Sequence, residues 1–250
     1  MSRAGSRLLL AVLMVLGFLP SVNAYSQNLD ADAKKAIATF GEGTVVPVAG
    51  DMKIENAEDY LGFEPGTKTY KVASGQSEGE IVKRTVKKKA DASNTFVVTL
   101  GKLSSMTLVA KKDGVFLTTE VDPSTSSLST FEPNEIILLS NMKQGEKKTR
   151  TIQVKVHDVS QPTVVTHTGS LDCVYEVLGA FKITTPAGTF DAVGIRTRYN
   201  GSVGPASVKD SNYLFFAKGV GPVAMRFRSR ISAFLFYNKN EKRSLVLEKK

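Results

Sequence analysis

Thr149-Arg150-Thr151-Ile152-Gln153-Val154-Lys155-Val156-His157 is the stretch on which the fold turns. Ile152, Val154 and Val156 alternate with Gln153, Lys155 and His157, and a period of two gives a strand one apolar and one polar face. Antiparallel strands with one face on a core and one in water read this way, whereas buried parallel strands read as continuous apolar runs.

On either side the chain repeats the theme. From Val45 onward, short runs rich in Val, Ile, Thr and Phe are separated by Gly, Pro, Asn, Asp and Ser. Strands are predicted over Thr67–Ala73, Ile81–Lys88, Thr95–Leu100, Met106–Lys111, Val115–Glu120, Glu135–Leu139 and Thr149–His157. They continue over Val164–Thr168, Asp172–Val177, Phe181–Thr185, Gly188–Tyr199, Asn212–Ala217, Val220–Tyr237 with a break near Ser229, and Arg243–Glu248. Lys112-Asp113-Gly114 and Pro186-Ala187-Gly188 join apolar runs at hairpin distance. Asp122–Asn134, which holds Pro123 and Pro133, reads as a long loop within one sheet system. Ahead of the strands, Asn28 is placed to cap a helix in which Leu29, Ala33, Ala36, Ile37 and Phe40 recur at helical spacing before Gly41 and Gly43. The fold class predicted is mainly β: a curved antiparallel sheet or an open or half barrel with a short N-terminal helix.

The first residues have a different character. Arg3 and Arg7 precede an apolar run from Leu8 to Leu19, followed by Pro20 and Val22-Asn23-Ala24, which is the pattern of a secretory signal cleaved near Ala24. The run is too short to span a bilayer comfortably, and no Cys stands at the cleavage point to accept a lipid. The expected organisation is a signal peptide over 1–24, a helical segment over 25–44 and one β-domain over 45–250. Of 250 residues, 42% are hydrophobic and 23% charged, which excludes disorder and collagen-like repeats. The 33 basic residues exceed the 24 acidic ones by 9, and losing Arg3 and Arg7 leaves +7. Cys173 is the sole cysteine, so the core carries stability without an intramolecular disulfide, and a bacterial periplasm suits such a chain. Export makes nucleic acid an unexpected partner despite the charge. An anionic envelope surface is the natural one.

Three stretches carry a family resemblance: Tyr60-Leu61-Gly62-Phe63-Glu64-Pro65-Gly66 with Thr69-Tyr70, then Ile183-Thr184-Thr185-Pro186-Ala187-Gly188-Thr189-Phe190-Asp191-Ala192, then Tyr213-Leu214-Phe215-Phe216-Ala217-Lys218-Gly219-Val220-Gly221-Pro222-Val223. Together, over roughly 60–227, they resemble TapB-like bacterial envelope domains of unknown function. The resemblance implies a curved antiparallel sheet akin to half-barrels that carry lipids or lipoproteins, and it implies no catalytic role for these residues. In the family a large aromatic usually stands where this chain has Thr67-Lys68-Thr69.

Few side chains offer chemistry. Gly75-Gln76-Ser77-Glu78-Gly79 fits the nucleophile elbow, but strand-like Ile81-Val82 follows it where a helix is required. Gly219 to Ala224 fits a loose dinucleotide fingerprint, with Pro222 and a strand in place of the helix. Two histidines, His157 and His167, and one cysteine give no metal-ligand spacing. His157 reads as solvated on the polar face of its strand, and Cys173 as a small buried apolar residue in phase with Leu171, Tyr175 and Val177. Lys83, Arg84 and Lys87 to Lys89 form a basic stretch. Arg196 and Arg198 alternate along one strand and Arg226, Arg228 and Arg230 along another, so each set shares a face. If those strands adjoin, five guanidiniums line a patch for phosphate or carboxylate headgroups. If they do not, the arginines cover a solvated face and discourage edge pairing.

The reading is an exported, non-enzymatic periplasmic or secreted protein with no cofactor and no metal. It would bind a lipid or other anionic amphiphile in the concavity of the sheet, with the arginines on the anionic part. An envelope assembly role, docking a protein partner, and hydrolysis through Ser77 are the alternatives.

Overall fold

A computed structural model describes residues 29–50, 52–233 and 237–250. The strands are β1 (Val45–Pro47), β2 (Lys53–Ile54), β3 (Gly66–Gly75), β4 (Ile81–Lys88), β5 (Thr95–Leu100), β6 (Ser104–Lys111), β7 (Gly114–Asp122) and β8 (Ser127–Leu139). They continue with β9 (Met142–Lys143), β10 (Lys147–Asp158), β11 (Gln161–Thr185), β12 (Gly188–Val203), β13 (Ala206–Ala217), β14 (Gly221–Ala233) and β15 (Tyr237–Lys249). One α-helix, α1 (Ala31–Ala38), and a 3-10 turn at Ala57–Tyr60 complete the described elements.

Twelve of these strands form a closed ring in the order β3, β4, β5, β6, β7, β8, β10, β11, β12, β13, β14, β15, with β15 returning to β3. Every neighbouring pair is antiparallel. The mainly β, antiparallel character is as expected, but the sheet is not left open. Leu245 pairs with Val72 and Leu247 with Tyr70, and this seam abolishes the free edges that a curved sheet would expose. β1 extends the ring locally, pairing Phe181–Ile183 of β11 beyond the end of β10.

Alternation sets inside and outside. Ile152 and Val154 of β10 are buried while Gln153 and Lys155 are exposed, and Val82 and Val86 of β4 are buried while Lys83 and Lys87 are exposed. Apolar inside and charged outside is the reverse of a transmembrane barrel, whose outer face meets lipid. No helix of the described residues is long and apolar enough to cross a membrane.

Several sequence expectations need correction. The Asp122–Asn134 loop is a tight hairpin, Asp122 opposite Ser127, followed by the first half of β8. Between Thr130 and Glu135 the pairing to β7 breaks register, and Pro133 falls there, where a missing N–H does not interrupt the ladder. The three predicted strands over Val164–Thr185 are one strand, β11, bent by a bulge between Val177 and Gly179. The run predicted over Val220–Tyr237 divides into β14 and the start of β15, and Phe234, Leu235 and Phe236 lie outside the described residues. The pairing of β10 to β11 breaks register on both sides of His157, with Thr166 of β11 skipped in the ladder, and His157 is buried rather than solvated. Its two ring nitrogens have no hydrogen-bond partner among the described residues.

Helix α1 is capped by Asp30, whose carboxylate accepts from the Ala33 amide at 2.8 Å. Asn28, the cap expected from sequence, and the leader over 1–24 lie outside the described residues. Leu29, Ala33, Ala36 and Phe40 are buried as the spacing requires, with the Phe40 ring edge-on to Phe215 at 5.7 Å. Cys173 is buried in phase with Leu171, Tyr175 and Val177, and burial pushes its thiol up to about 12.

Candidate binding cavity inside the barrel

The outer face of β12 to β15 explains the arginines. β12 and β14 are not neighbours, because β13 lies between them. Glu176, Arg196, Tyr213, Arg226 and Ser244 are consecutive cross-strand partners from β11 to β15, so their side chains form a row on one face. Helix α1 lies along that row. Arg196 donates through Nη1 to both carboxylate oxygens of Asp30 at 2.9 and 2.8 Å, and through Nε and Nη2 to Glu176 at 3.1 and 2.6 Å. Tyr213 donates to Asp32 at 2.7 Å, and the Thr39 and Ser244 hydroxyls meet at 2.7 Å. Arg196 and Arg226 flank the Tyr213 ring at 6.0 and 5.7 Å from its centroid.

Only 2% of Arg196 is exposed, and Arg226 is buried as well. Burial pushes the Asp30 carboxyl up, but the Ala33 amide and Arg196 together hold it below its ordinary value. Arg198 reaches only the edge of Glu176, at 3.9 Å, while Arg228 is half-buried and Arg230 exposed. The five arginines therefore do not make one patch. Arg196 holds the helix, and all five point away from the barrel interior, whose wall on these strands is Thr197, Tyr199, Leu214, Met225 and Phe227.

The interior holds a cavity of about 160 Å³. Leu61, Val98, Leu117, Leu214 and Met225 are among its apolar walls, and Arg84, Glu120, Glu135 and Tyr199 bring polar atoms to it. Sequence reasoning passed over these four. Arg84 was grouped with its lysine neighbours, but it shares the phase of Val82 and Val86 and points inward. Glu135 heads an otherwise apolar run, Ile136 to Leu139, and a charged residue in phase with a core face was the available signal.

The two carboxyls form an acidic group. Tyr199 donates to Glu135 Oε1. Burial raises Glu135 to about 8, against the pull of the Tyr199 hydroxyl and with the help of Glu120 and Asp210. Burial likewise raises Glu120 to about 7, with Asp122 and Asp210 adding to it and Ser104 opposing. Both carboxyls hold protons well above the ordinary carboxylate range.

The segment from the 3-10 turn to Gly66 closes one end of the barrel. Arg84 donates to the carbonyls of Leu61 at 2.8 Å and Gly62 at 3.3 Å, the Gly219 amide donates to Asp59 O at 2.7 Å, and Phe63 stacks on Phe96 with centroids 3.9 Å apart. Two of the three motif stretches noted in the sequence thus meet here. Gly62 has φ +57°, and a Cβ on it would lie 2.2 Å from the Val220 carbonyl oxygen. A Cβ on Gly221 would crowd Leu61 O at 2.9 Å. Gly62→Ala should cost about 2 kcal/mol or more of stability, from strain added to a backbone clash. Gly79→Ala, also at positive φ but facing open space, should cost about 1 kcal/mol. Urea unfolding of the two variants checks the difference.

Ser77 lies in the turn between β3 and β4 at φ +62°, so the motif joins strand to strand. His157 has no hydrogen-bond partner among the described residues, so it does not activate Ser77. The Gly219 to Ala224 stretch is likewise a turn leading into β14.

Two solved structures align with the chain at low scores. A Bacteroides fragilis protein described as exported, with a YmcC-like fold, aligns at TM-score 0.46 and 13% identity, covering 79% of this chain and 99% of its own. A Parabacteroides distasonis protein described as a lipoprotein aligns at TM-score 0.36 and 13% identity, over 80% of this chain and 99% of its own. At these scores neither likeness bears on function. No family model matches the chain, the TapB-like resemblance included, and no curated protein matches it.

Proposed function

We propose that this chain is an exported, non-enzymatic binding protein whose barrel interior takes the apolar part of a small amphiphile from the cell envelope. The cavity carries the reading. An aliphatic cavity of about 150 Å³ accommodates a benzene-sized molecule, so the space here suits a short chain or single ring rather than a whole diacyl lipid. The leader and the cleavage pattern at Ala24 support delivery to the periplasm or beyond it.

Native mass spectrometry of the mature protein from its own envelope, followed by organic extraction, tests this. A stoichiometric small amphiphile is the expected result. A clean apo mass, unchanged after soaking in short-chain alcohols and acids, overturns the reading. Docking of an envelope protein is the second reading, favoured by one observation: the end of the β10–β11 hairpin is exposed over 158–168, with Val159, Val164 and Val165 on its surface. A clean apo mass accompanied by a stoichiometric protein partner would move the argument there.

A further inference from the structure

We infer that Arg84 is the anion contact of the cavity, and that the ligand class is a compact monocarboxylate with a short apolar tail. The inference rests on the cavity reading above and adds the chemistry of the ligand's head. Arg84 is 4% exposed, and burying a guanidinium is costly unless an anion accompanies it. Its partners are two main-chain carbonyls, Leu61 and Gly62. No carboxylate lies within 4.0 Å of it among the described residues. A guanidinium has five N–H donors in a planar fork, and two carbonyls leave room for more.

A second cation deepens the imbalance. Lys68, the cross-strand partner of Arg84, donates to the Val220 carbonyl. Burial lowers the Lys68 ammonium and the nearby Arg84 and Lys250 charges lower it further, outweighing the pull of Glu64, while burial lowers Arg84 itself. Glu120 and Glu135 line the same cavity, but neither is an ion-pair partner of Arg84. Leu61 and Leu100 beside Arg84, with Pro222 and Met225 of the same cavity wall, offer an apolar tail its surroundings. A planar carboxylate matches the guanidinium fork, and a small cavity limits the tail to a few carbons.

Isothermal titration of the mature protein at pH 7.5 with hexanoate, hexanol and hexylamine tests the head group at constant tail. Hexanoate should bind one to one and at least ten-fold more tightly than hexanol, with hexylamine weakest. Arg84→Gln should bring hexanoate down to the level of hexanol, abolishing the preference seen in the unmodified protein. Equal binding of hexanoate and hexanol overturns the role of Arg84 and keeps the cavity, and tightest binding of hexylamine overturns it in favour of the acidic wall. Binding of none of the three overturns the cavity reading with it. If Arg84→Gln fails to fold by circular dichroism, the hexanoate to hexanol ratio of the unmodified protein still decides.

Discussion

Arg196→Ala is expected to lower the unfolding free energy by about 3 kcal/mol or more and to release helix α1 from the barrel wall. Among the described residues, Arg196 is the cation hydrogen-bonded both to Asp30, which begins the helix, and to Glu176, which belongs to the barrel. Removing it strands Glu176 in a buried site with only Lys147 at 3.4 Å and Arg198 at 3.9 Å in reach. Breaking a buried pair by deleting one partner costs more than the pair contributes, because the other charge remains desolvated. Asp30 is half exposed and regains water, so the main loss arises at Glu176.

Two further variants separate charge from packing. Arg196→Lys should recover less than half of the loss, since an ammonium cannot span both carboxylates as the fork does. Adding Glu176→Gln to Arg196→Ala should restore part of it by removing the abandoned charge. Trypsin reports the helix: Lys34 and Lys35 lie within α1 and are cleaved only when it undocks, so nicking near the N-terminus should accelerate in Arg196→Ala. An unfolding free energy from urea within about 1 kcal/mol of the unmodified protein, with unchanged nicking, would show that the helix is held by Phe40 and the alanines alone.

What was legible in the sequence follows from the range of the forces involved. β4 and β5 were read to the residue, and the buried face of α1 was correct, because alternation, helical spacing and turn residues are local signals. Closure left no such trace. β3 and β15 lie at opposite ends of the barrel's sequence and pair without a turn, so nothing between them announces the seam. Bulges were invisible for a related reason: the register break beside His157 comes from an extra residue on the partner strand β11, and no residue of β10 marks it. The site suffered most. Alternation correctly put Arg196 and Arg198 on one face of β12, and Arg226, Arg228 and Arg230 on one face of β14. It could not say that the face was the outer one, or that β13 and α1 would intervene. Conversely, Arg84 between Val82 and Val86, and Glu135 ahead of Ile137 and Leu139, were each the odd member of an apolar phase, a signal that reads as noise until the phase is known to point inward.

Stability should fall as pH rises from about 5 to 8, and Glu135→Gln should flatten that fall. In the unfolded chain Glu135 and Glu120 titrate near the ordinary 4.5, while in the folded barrel they titrate at about 8 and about 7. Between those limits the unfolded state has lost a proton that the folded state keeps. Raising the pH therefore favours unfolding, by up to about 1.4 kcal/mol per pH unit for each carboxyl. The contribution is complete below about pH 4.5 and lost once pH passes the folded values. Asp30, held low, acts in the opposite sense at acid pH, so the difference between variant and parent is the informative quantity. Gln at 135 still accepts from the Tyr199 hydroxyl and has no charge to bury, so the variant should gain on its parent steadily up to pH 8. Urea midpoints at pH 5, 6, 7 and 8 measure this, and parallel curves for the two proteins would mean that Glu135 ionises in the barrel as it does in water. The same titration bears on the cavity. Protonated Glu135 and Glu120 leave the wall neutral and compatible with an apolar tail, whereas their ionisation draws water inward, so hexanol should bind the parent more weakly at pH 8.5 than at pH 6, and Glu135→Gln should show a smaller drop, the remainder belonging to Glu120.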